Sequence, residues 1–210
     1  TTSALPFLMD TLREAKRVYS MLGIEFDYYT GESFYNDKME PIVQELREKN
    51  LLEFDDGAYI VRLDDEGLAP CIILKSDGAT LYATRDLAAA QYRKDTFDFE
   101  KCLYVVAYQQ SLHFKQLFAV LKKMGREWYK NMEHVAFGMV SLEDGTLSTR
   151  KGKVVLLEDV LNKSIEKTLE TIDEKNPDLE NKEQVAKDVG IGAVIYSTLS
   201  AGRIKDISFS

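Results

Sequence analysis

The second half of the sequence alternates apolar, strand-like runs with helical stretches, and this alternation limits the possible folds more than any other feature. The apolar runs are Cys71–Leu74, Leu103–Ala107 and Val135–Val140, and the helical stretches include Leu112–Met124 and Leu156–Glu174. Continuously apolar strands are typical of parallel sheets that helices cover on both faces. We therefore predict an α/β fold, in which ligands bind where strand carboxyl ends meet helix amino ends.

The first half of the sequence predicts a segment that contains both helices and short strands. Apolar residues at helical spacing predict an amphipathic helix over Phe7–Leu22, with Gly23 in the position of a C-cap. Alternating apolar and polar residues predict a short strand over Ile24–Tyr28. A second helix is predicted from Pro41, followed by a hairpin that turns at Asp55–Gly57. The second helix and the hairpin are interpreted as a small α+β insertion.

Charge and composition exclude several classes of protein. The formal net charge of -8 argues against a chain that binds nucleic acid over its whole surface. No run approaches the roughly 20 apolar residues of a membrane span, so a cytoplasmic protein without a membrane partner is expected. The cysteines and histidines, Cys71, Cys102, His113 and His134, do not have the spacing of metal ligands. No structural metal held by the protein alone is predicted.

Two residues after the first apolar run could bind a cation. Tyr82 and Asp86 are four residues apart in a predicted helix start, so the phenol and the carboxylate would share one helix face. A guanidinium pairs best with a planar acceptor such as a carboxylate. By spacing alone, a helix cap with an ordinary surface pair of Arg85 and Asp86 is the simpler interpretation.

Polar residues also follow the run Leu103–Ala107. Gln110 and His113 lie at the predicted beginning of a helix, where the N-terminus favours anionic groups. Gln110 could donate a hydrogen bond to a bound ligand. Ordinary helix-capping polarity, with His113 packed on its helix, explains the same residues.

A third candidate is the loop of residues 143–153, which joins a predicted buried strand to the next helix. It contains hydroxyl groups, glycines and three cations. Such a loop suits a mobile clamp on a triphosphate, because the leaving pyrophosphate gains charge in the transition state. An exposed basic turn would have the same composition.

Taken in order, blocks of this sequence resemble the arginyl-tRNA synthetase family of class I. Five of them are Gly31–Tyr35, Ser76–Thr80, Tyr82–Ala88, Gln109–Phe114 and His134–Val140. A sixth, Leu147–Gly152, resembles the family's version of the KMSKS signature, with Thr146 where the wider class has its first lysine. The resemblance covers most of the chain. It implies a Rossmann-like parallel sheet, the second half of a class I catalytic domain, with the small α+β insertion.

The resemblance also implies roles for particular residues. An arginine pocket would be lined by Tyr82, Asp86 and Gln110, with Asp86 facing the guanidinium. ATP would lie near His113, Gly138, Met139, Val140 and Gly152. The residues that would hold ATP and stabilise the departing pyrophosphate are Ser148, Thr149, Arg150 and Lys151.

The implied activity of the parent protein is to join arginine to ATP, which enters with Mg²⁺, and to transfer the arginine to its tRNA. Residues 1–69 would form the first helix and the insertion, residues 70–155 the half-domain with the arginine pocket, and residues 156–210 a helical segment leading toward an anticodon-binding domain. The HIGH signature of class I does not occur here, so the isolated chain is expected to be inactive. Two alternatives stay open: another adenylate-forming enzyme with a small-molecule acceptor, and a non-catalytic synthetase-like paralogue.

Overall fold

A computed structural model describes residues 4–142, 145–146 and 156–209. Its α-helices are α1 (Ala4–Met21), α2 (Met39–Glu48), α3 (Tyr82–Phe97), α4 (Ser111–Lys123), α5 (Leu157–Lys175) and α6 (Lys182–Ser200). Its strands are β1 (Glu53–Asp55), β2 (Ala58–Val61), β3 (Cys71–Lys75), β4 (Cys102–Ala107), β5 (Met132–Phe137), β6 (Val140–Leu142), β7 (Gly145–Thr146) and β8 (Ile207–Phe209). Short 3-10 helices cover Glu32–Lys38, Asp64–Glu66, Tyr108–Gln110 and Glu127–Asn131.

The chain divides into two compact units. Residues 29–137 form one unit, and residues 1–28 together with 138–210 form the other. The mixture of helices with both parallel and antiparallel strands confirms the predicted α/β class. The sequence-based division at residues 69 and 155 is a division by role and stays a prediction.

The unit of residues 29–137 contains an antiparallel sheet in the order β1-β2-β3. Its hairpin turns at Asp56 and Gly57, whose φ angles are 44° and 76°. Positive φ at both central residues is the requirement of the type I′ turn, which matches the twist of the two strands. The predicted hairpin is therefore confirmed.

The same unit contains the parallel pair β4-β5, in which Tyr104 is the register partner of His134. Helices α3 and α4 pack against each other and against β3, and α4 also packs against β5. The core between these elements is apolar. Its fully buried members include Leu46, Leu63, Ile73, Leu87, Leu117, Val120 and Leu121. Three consecutive buried alanines, residues 88–90, let α3 lie close to its neighbours α2, β3 and α4, because alanine side chains fill little space.

Two details of the predicted parallel sheet are wrong. The run Cys71–Leu74 does form a strand, but β3 pairs antiparallel with β2. The connection between them, residues 62–70, is shorter than the dozen or so residues that a parallel crossover needs. The strands are also not covered on both faces, because Leu103 and Val105 of β4 are 53% and 65% exposed.

Two strand boundaries also differ from the prediction. Residues 24–30 are described and form no strand, and the side chains of Ile24, Phe26 and Tyr28 are exposed. A strand needs a neighbouring ladder as well as an alternating pattern. The run Val135–Val140 is not one strand, because β5 ends at Phe137 and Val140 begins a strand of another sheet.

The unit of residues 1–28 and 138–210 is built on the antiparallel packing of α5 against α6. The two helices touch at Gly190, where an added Cβ would lie 2.8 Å from backbone atoms of Ile165. Ser164 Oγ donates a hydrogen bond to Gly190 O at 2.8 Å. Arg17 of α1 reaches Glu158 of α5 with two bonds of 2.7 Å. These contacts hold α1, α5 and α6 together.

A small sheet in the order β7-β6-β8 completes this unit. Strand β6 pairs antiparallel with β7 and parallel with β8. In the described ranges, none of the helices is long and apolar enough to cross a membrane.

Candidate functional site

The first candidate segment joins β3 to α3 through a tight turn. Gly78 has φ +82°, which a side chain would strain, and Asp77 Oδ1 accepts a hydrogen bond from Ala79 N–H at 2.9 Å. After the turn, Thr84 is fully buried and its Oγ1 donates to Ile73 O at 2.5 Å. The turn and this bond fix where α3 begins.

Tyr82 and Asp86 both lie in the first two turns of α3, as predicted. The Tyr82 side chain is 69% exposed and the Asp86 side chain is 37% exposed, so solvent reaches both groups. Between them, Arg85 donates to Glu32 Oε2 at 2.8 Å and lies 5.8 Å from the centre of the Tyr82 ring. The nearest cation in the sequence is thus paired with Glu32.

The second candidate segment joins β4 to α4 through the 3-10 helix Tyr108–Gln110. Gln110 is exposed. His113, in the first turn of α4, is 22% exposed, and its Nε2 lies 2.6 Å from Asp86 Oδ2. A carboxylate oxygen accepts hydrogen bonds, so Nε2–H is the donor. The structure therefore brings together two residues from different parts of the sequence.

The helix that carries His113 is anchored on the parallel strands by an aromatic stack. Phe114 is buried, with its ring 5.0 Å from Tyr104 and 4.4 Å from His134. His134 Nε2 donates to Val106 O at 2.8 Å, which sets the plane of that ring. Burial raises the pKa of the Tyr104 phenol, and the nearby Asp86 carboxylate acts in the same direction. Asp86 thus lies beside this stack through its hydrogen bond with His113, whose ring contacts Phe114.

The predicted residues Gly138, Met139 and Val140 belong to the other unit. Gly138 N–H donates to Arg203 O at 2.8 Å, and Met139 N–H donates to Asp206 Oδ1 at 2.7 Å. Val140 lies in β6. The predicted Ser148, Thr149, Arg150, Lys151 and Gly152 lie outside the described residues.

Sequence reasoning singled out both Asp86 and His113 but assigned them to different ligands. It did not predict their hydrogen bond, because residues 27 apart in sequence leave no local pattern. It also missed the ion pair of Arg85 with Glu32. Within the described part of the chain, no group of three or more His, Cys, Asp or Glu side chains is placed to hold a metal ion.

The arrangement places the negatively charged Asp86 side chain near the N-terminal ends of α3 and α4. Asp86 Oδ2 accepts a bond from His113, while no described residue donates to Oδ1. A carboxylate has about four lone-pair positions and can accept a bidentate guanidinium. The side chains of Tyr82 and Gln110 are exposed on the two segments that follow β3 and β4. The site therefore suits a small cationic ligand.

Comparison with known proteins supports one family. Residues 3–210 match the family model for the catalytic domain of class I (R) tRNA synthetases. The chain is 62% identical to an arginine–tRNA ligase of Halothermothrix orenii over 95% of its length, and 56% identical to one of Alkaliphilus metalliredigens over 97%. It covers 35% and 36% of those proteins, so it spans about a third of the curated relatives that it matches.

Solved structures show the same fold. The crystal structure of arginyl-tRNA synthetase from Plasmodium falciparum is similar over the whole chain and 36% of that protein, with a TM-score of 0.78 and 24% identity. The Thermus thermophilus arginyl-tRNA synthetase is similar over 92% of the chain and 39% of that protein, with a TM-score of 0.76 and 19% identity.

Proposed function

Because the chain belongs to the family of class I (R) tRNA synthetase catalytic domains, we propose that it carries the arginine site of an arginine–tRNA ligase. The full-length protein would join arginine to ATP as arginyl-adenylate, release pyrophosphate, and transfer the arginine to its tRNA. ATP would enter with Mg²⁺ as a substrate. Relatives that bear the name arginine–tRNA ligase support this proposal over another adenylate-forming enzyme or a non-catalytic paralogue. We expect this activity in the cytoplasm.

The observation that carries the proposal is the position of Asp86. Its carboxylate is partly exposed, and its Oδ1 has no donor among the described residues. The neighbouring Arg85 is paired with Glu32 and so does not neutralise it. A guanidinium donates in a fork that matches a carboxylate, which an ammonium cannot do. Asp86 would therefore select arginine, with Tyr82 and Gln110 contacting the rest of the amino acid.

The activation step needs no covalent enzyme intermediate, because the carboxylate of arginine is itself the nucleophile. It attacks the α-phosphorus of ATP, the bond to the β-phosphate oxygen breaks, and pyrophosphate leaves. The protein contributes position and charge stabilisation. In the proposal Ser148, Thr149, Arg150 and Lys151 stabilise the pyrophosphate, with Gly152 beside them.

The proposed adenosine contacts are His113, Gly138, Met139 and Val140. The backbone N–H groups of Gly138 and Met139 already donate to Arg203 and Asp206. Gly138 would therefore contact ATP through its carbonyl oxygen or van der Waals surface. Met139, whose carbonyl oxygen accepts a hydrogen bond from Ile207 N–H at 2.8 Å, would contact ATP through van der Waals surface.

Replacing Asp86→Asn in the full-length protein tests the arginine site. The change keeps the shape of the side chain and removes the charge, so about two charge-assisted hydrogen bonds to the guanidinium weaken. We expect KM for arginine in ATP–pyrophosphate exchange, measured with tRNA present, to rise about 100-fold or more. Discrimination against citrulline, the neutral analogue of arginine, should fall at the same time.

Asp95→Asn is the matched control for this test. Asp95 lies later in α3 and accepts a hydrogen bond from Gln91 at 2.9 Å. The control removes the same charge from the same helix, and KM for arginine should stay within about twofold, since distant exposed charges are screened. An unchanged KM and unchanged citrulline discrimination in Asp86→Asn would exclude Asp86 from the arginine site.

A further inference from the structure

The hydrogen bond between His113 and Asp86 joins the first turns of two helices. Nε2 and Oδ2 are 2.6 Å apart, and the two residues are separated by 27 positions in the sequence. A partly exposed aspartate can otherwise rotate between staggered rotamers. This contact selects one orientation of the carboxylate and leaves Oδ1 directed away from the imidazole.

The imidazole is in turn held by rigid neighbours. The His113 ring meets the edge of Phe114 at 5.2 Å between centroids. Phe114 is buried against Tyr104 and His134, which are partners in the parallel ladder. The position of Nε2 is therefore set by the sheet, and a side chain fixed by the core can fix another side chain that reaches solvent.

The charges around the pair leave the carboxylate negative toward solvent. Arg85, next to Asp86 in α3, donates to Glu32 at 2.8 Å. Arg93, about two turns further along α3, donates to the Tyr104 hydroxyl at 3.2 Å. Both cations are thus bound to other groups, and His113 is the residue that contacts Asp86 directly.

We propose that His113 is a positioning residue for arginine recognition, which orients the Asp86 carboxylate so that Oδ1 receives the guanidinium. The inference rests on the proposed function and deepens it. His113 contributes no bond to arginine. It removes rotational freedom from Asp86 before arginine binds, and a pre-oriented group binds more tightly because less entropy is lost on binding.

Kinetics of His113 variants in the full-length protein test this role. His113→Ala removes the donor, and KM for arginine should rise about three- to tenfold, because arginine binding must then supply the free energy of fixing the Asp86 side chain. His113→Gln carries an N–H donor of similar reach and should recover most of this loss. His113→Asn is too short to reach Oδ2 and should behave like alanine. Lys115→Ala, an exposed neighbour on α4, is the control and should leave KM for arginine unchanged.

A double-mutant cycle separates positioning from a general structural effect. When Asp86→Asn is already present, adding His113→Ala should raise KM for arginine by less than about twofold, because the orientation of a neutral amide matters little. Additive effects would overturn the inference, as would a rise in KM for ATP without a rise for arginine. Failure of His113→Gln to recover binding, in a variant with an unchanged melting temperature, would also overturn it.

The outcomes also distinguish this inference from the proposed function. If Asp86→Asn impairs arginine binding while His113→Ala and His113→Asn do not, the positioning role is wrong and the arginine site stands. If none of the three changes KM for arginine, the arginine site itself is wrong.

Discussion

Gly190 and Gly192 lie two residues apart in α6, and the structure predicts opposite effects of alanine at the two positions. A Cβ at Gly190 would lie 2.8 Å from both the Cα and the N of Ile165 in α5. A Cβ at Gly192 would meet no described atom within 4 Å. Both positions are in the interior of the same helix, so the contact with α5 is what separates them.

The magnitudes follow from two opposing effects. Alanine favours a helix over glycine by about 1 kcal/mol, so Gly192→Ala should raise the free energy of unfolding by roughly 0.5–1 kcal/mol. At Gly190 the new methyl group meets backbone, which cannot rotate away, and such overpacking costs about 1–3 kcal/mol. Moving the helices apart also weakens the bond from Ser164 Oγ to Gly190 O, which contributes about 1 kcal/mol. Gly190→Ala should therefore lower the free energy of unfolding by roughly 1–3 kcal/mol.

Urea unfolding followed by circular dichroism measures the free energy of unfolding of both variants. The urea midpoints can be compared directly when the dependence of that free energy on urea concentration is the same. Hydrogen exchange of amides in α5 and α6 supplies a local measurement, since the two compact units need not unfold together. The reasoning would be refuted if Gly190→Ala were as stabilising as Gly192→Ala, or if exchange in α5 did not change in Gly190→Ala.

Two further predictions concern other contacts. In Gly138→Ala the new Cβ would lie 2.2 Å from Lys205 O, so residues 203–207 should detach. The Ile207 amide is bonded to Met139 O, and its hydrogen exchange should become at least tenfold faster. Unchanged exchange would contradict this prediction. Burial opposes ionisation of Glu45, but hydrogen bonds led by Arg126 lower its pKa overall. The ionised carboxylate therefore stabilises the fold above the ordinary glutamate pKa of about 4.3, and the stabilisation is lost as pH falls through the lowered value. Glu45→Gln should lower the free energy of unfolding by about 1–2 kcal/mol near neutral pH and by nearly nothing in acid. Denaturant titrations at several pH values measure this difference between the variant and the unmodified protein, and a difference that did not change with pH would contradict the prediction.

Helices were the part of the fold that the sequence predicted best. The predicted stretches Leu112–Met124 and Leu156–Glu174 differ by one residue at either end from α4 and α5. Helical hydrogen bonds join residues four apart, so the pattern that determines a helix lies within the helix itself. The hairpin at Asp56 and Gly57 was predictable for the same reason.

Strand partners were predicted less well, because a strand is completed by residues elsewhere in the chain. The apolar run in β3 fits a parallel or an antiparallel neighbour equally, and the short connection from β2 decides between them. The alternating residues from Ile24 to Tyr28 have the right pattern and form no strand. An alternating pattern is thus not sufficient for a strand.

The candidate site was predictable residue by residue but not as an arrangement. The order of blocks identified Tyr82, Asp86, Gln110 and His113 as candidates. The hydrogen bond of Asp86 with His113 depends on how α3 and α4 pack on the sheet, and no short-range pattern reports that packing.

The two neighbours of β6 have a consequence for how the protein is made. Its partner β7 follows at once along the chain, whereas its partner β8 begins at Ile207, after both long helices α5 and α6. Contacts of such separation form late, because the intervening chain must first be ordered. On the ribosome, β6 can pair with β7 long before Ile207 emerges from the exit tunnel. Strand β6, which directly precedes residues 143–153, would therefore gain its second partner only after α5 and α6 have been synthesised.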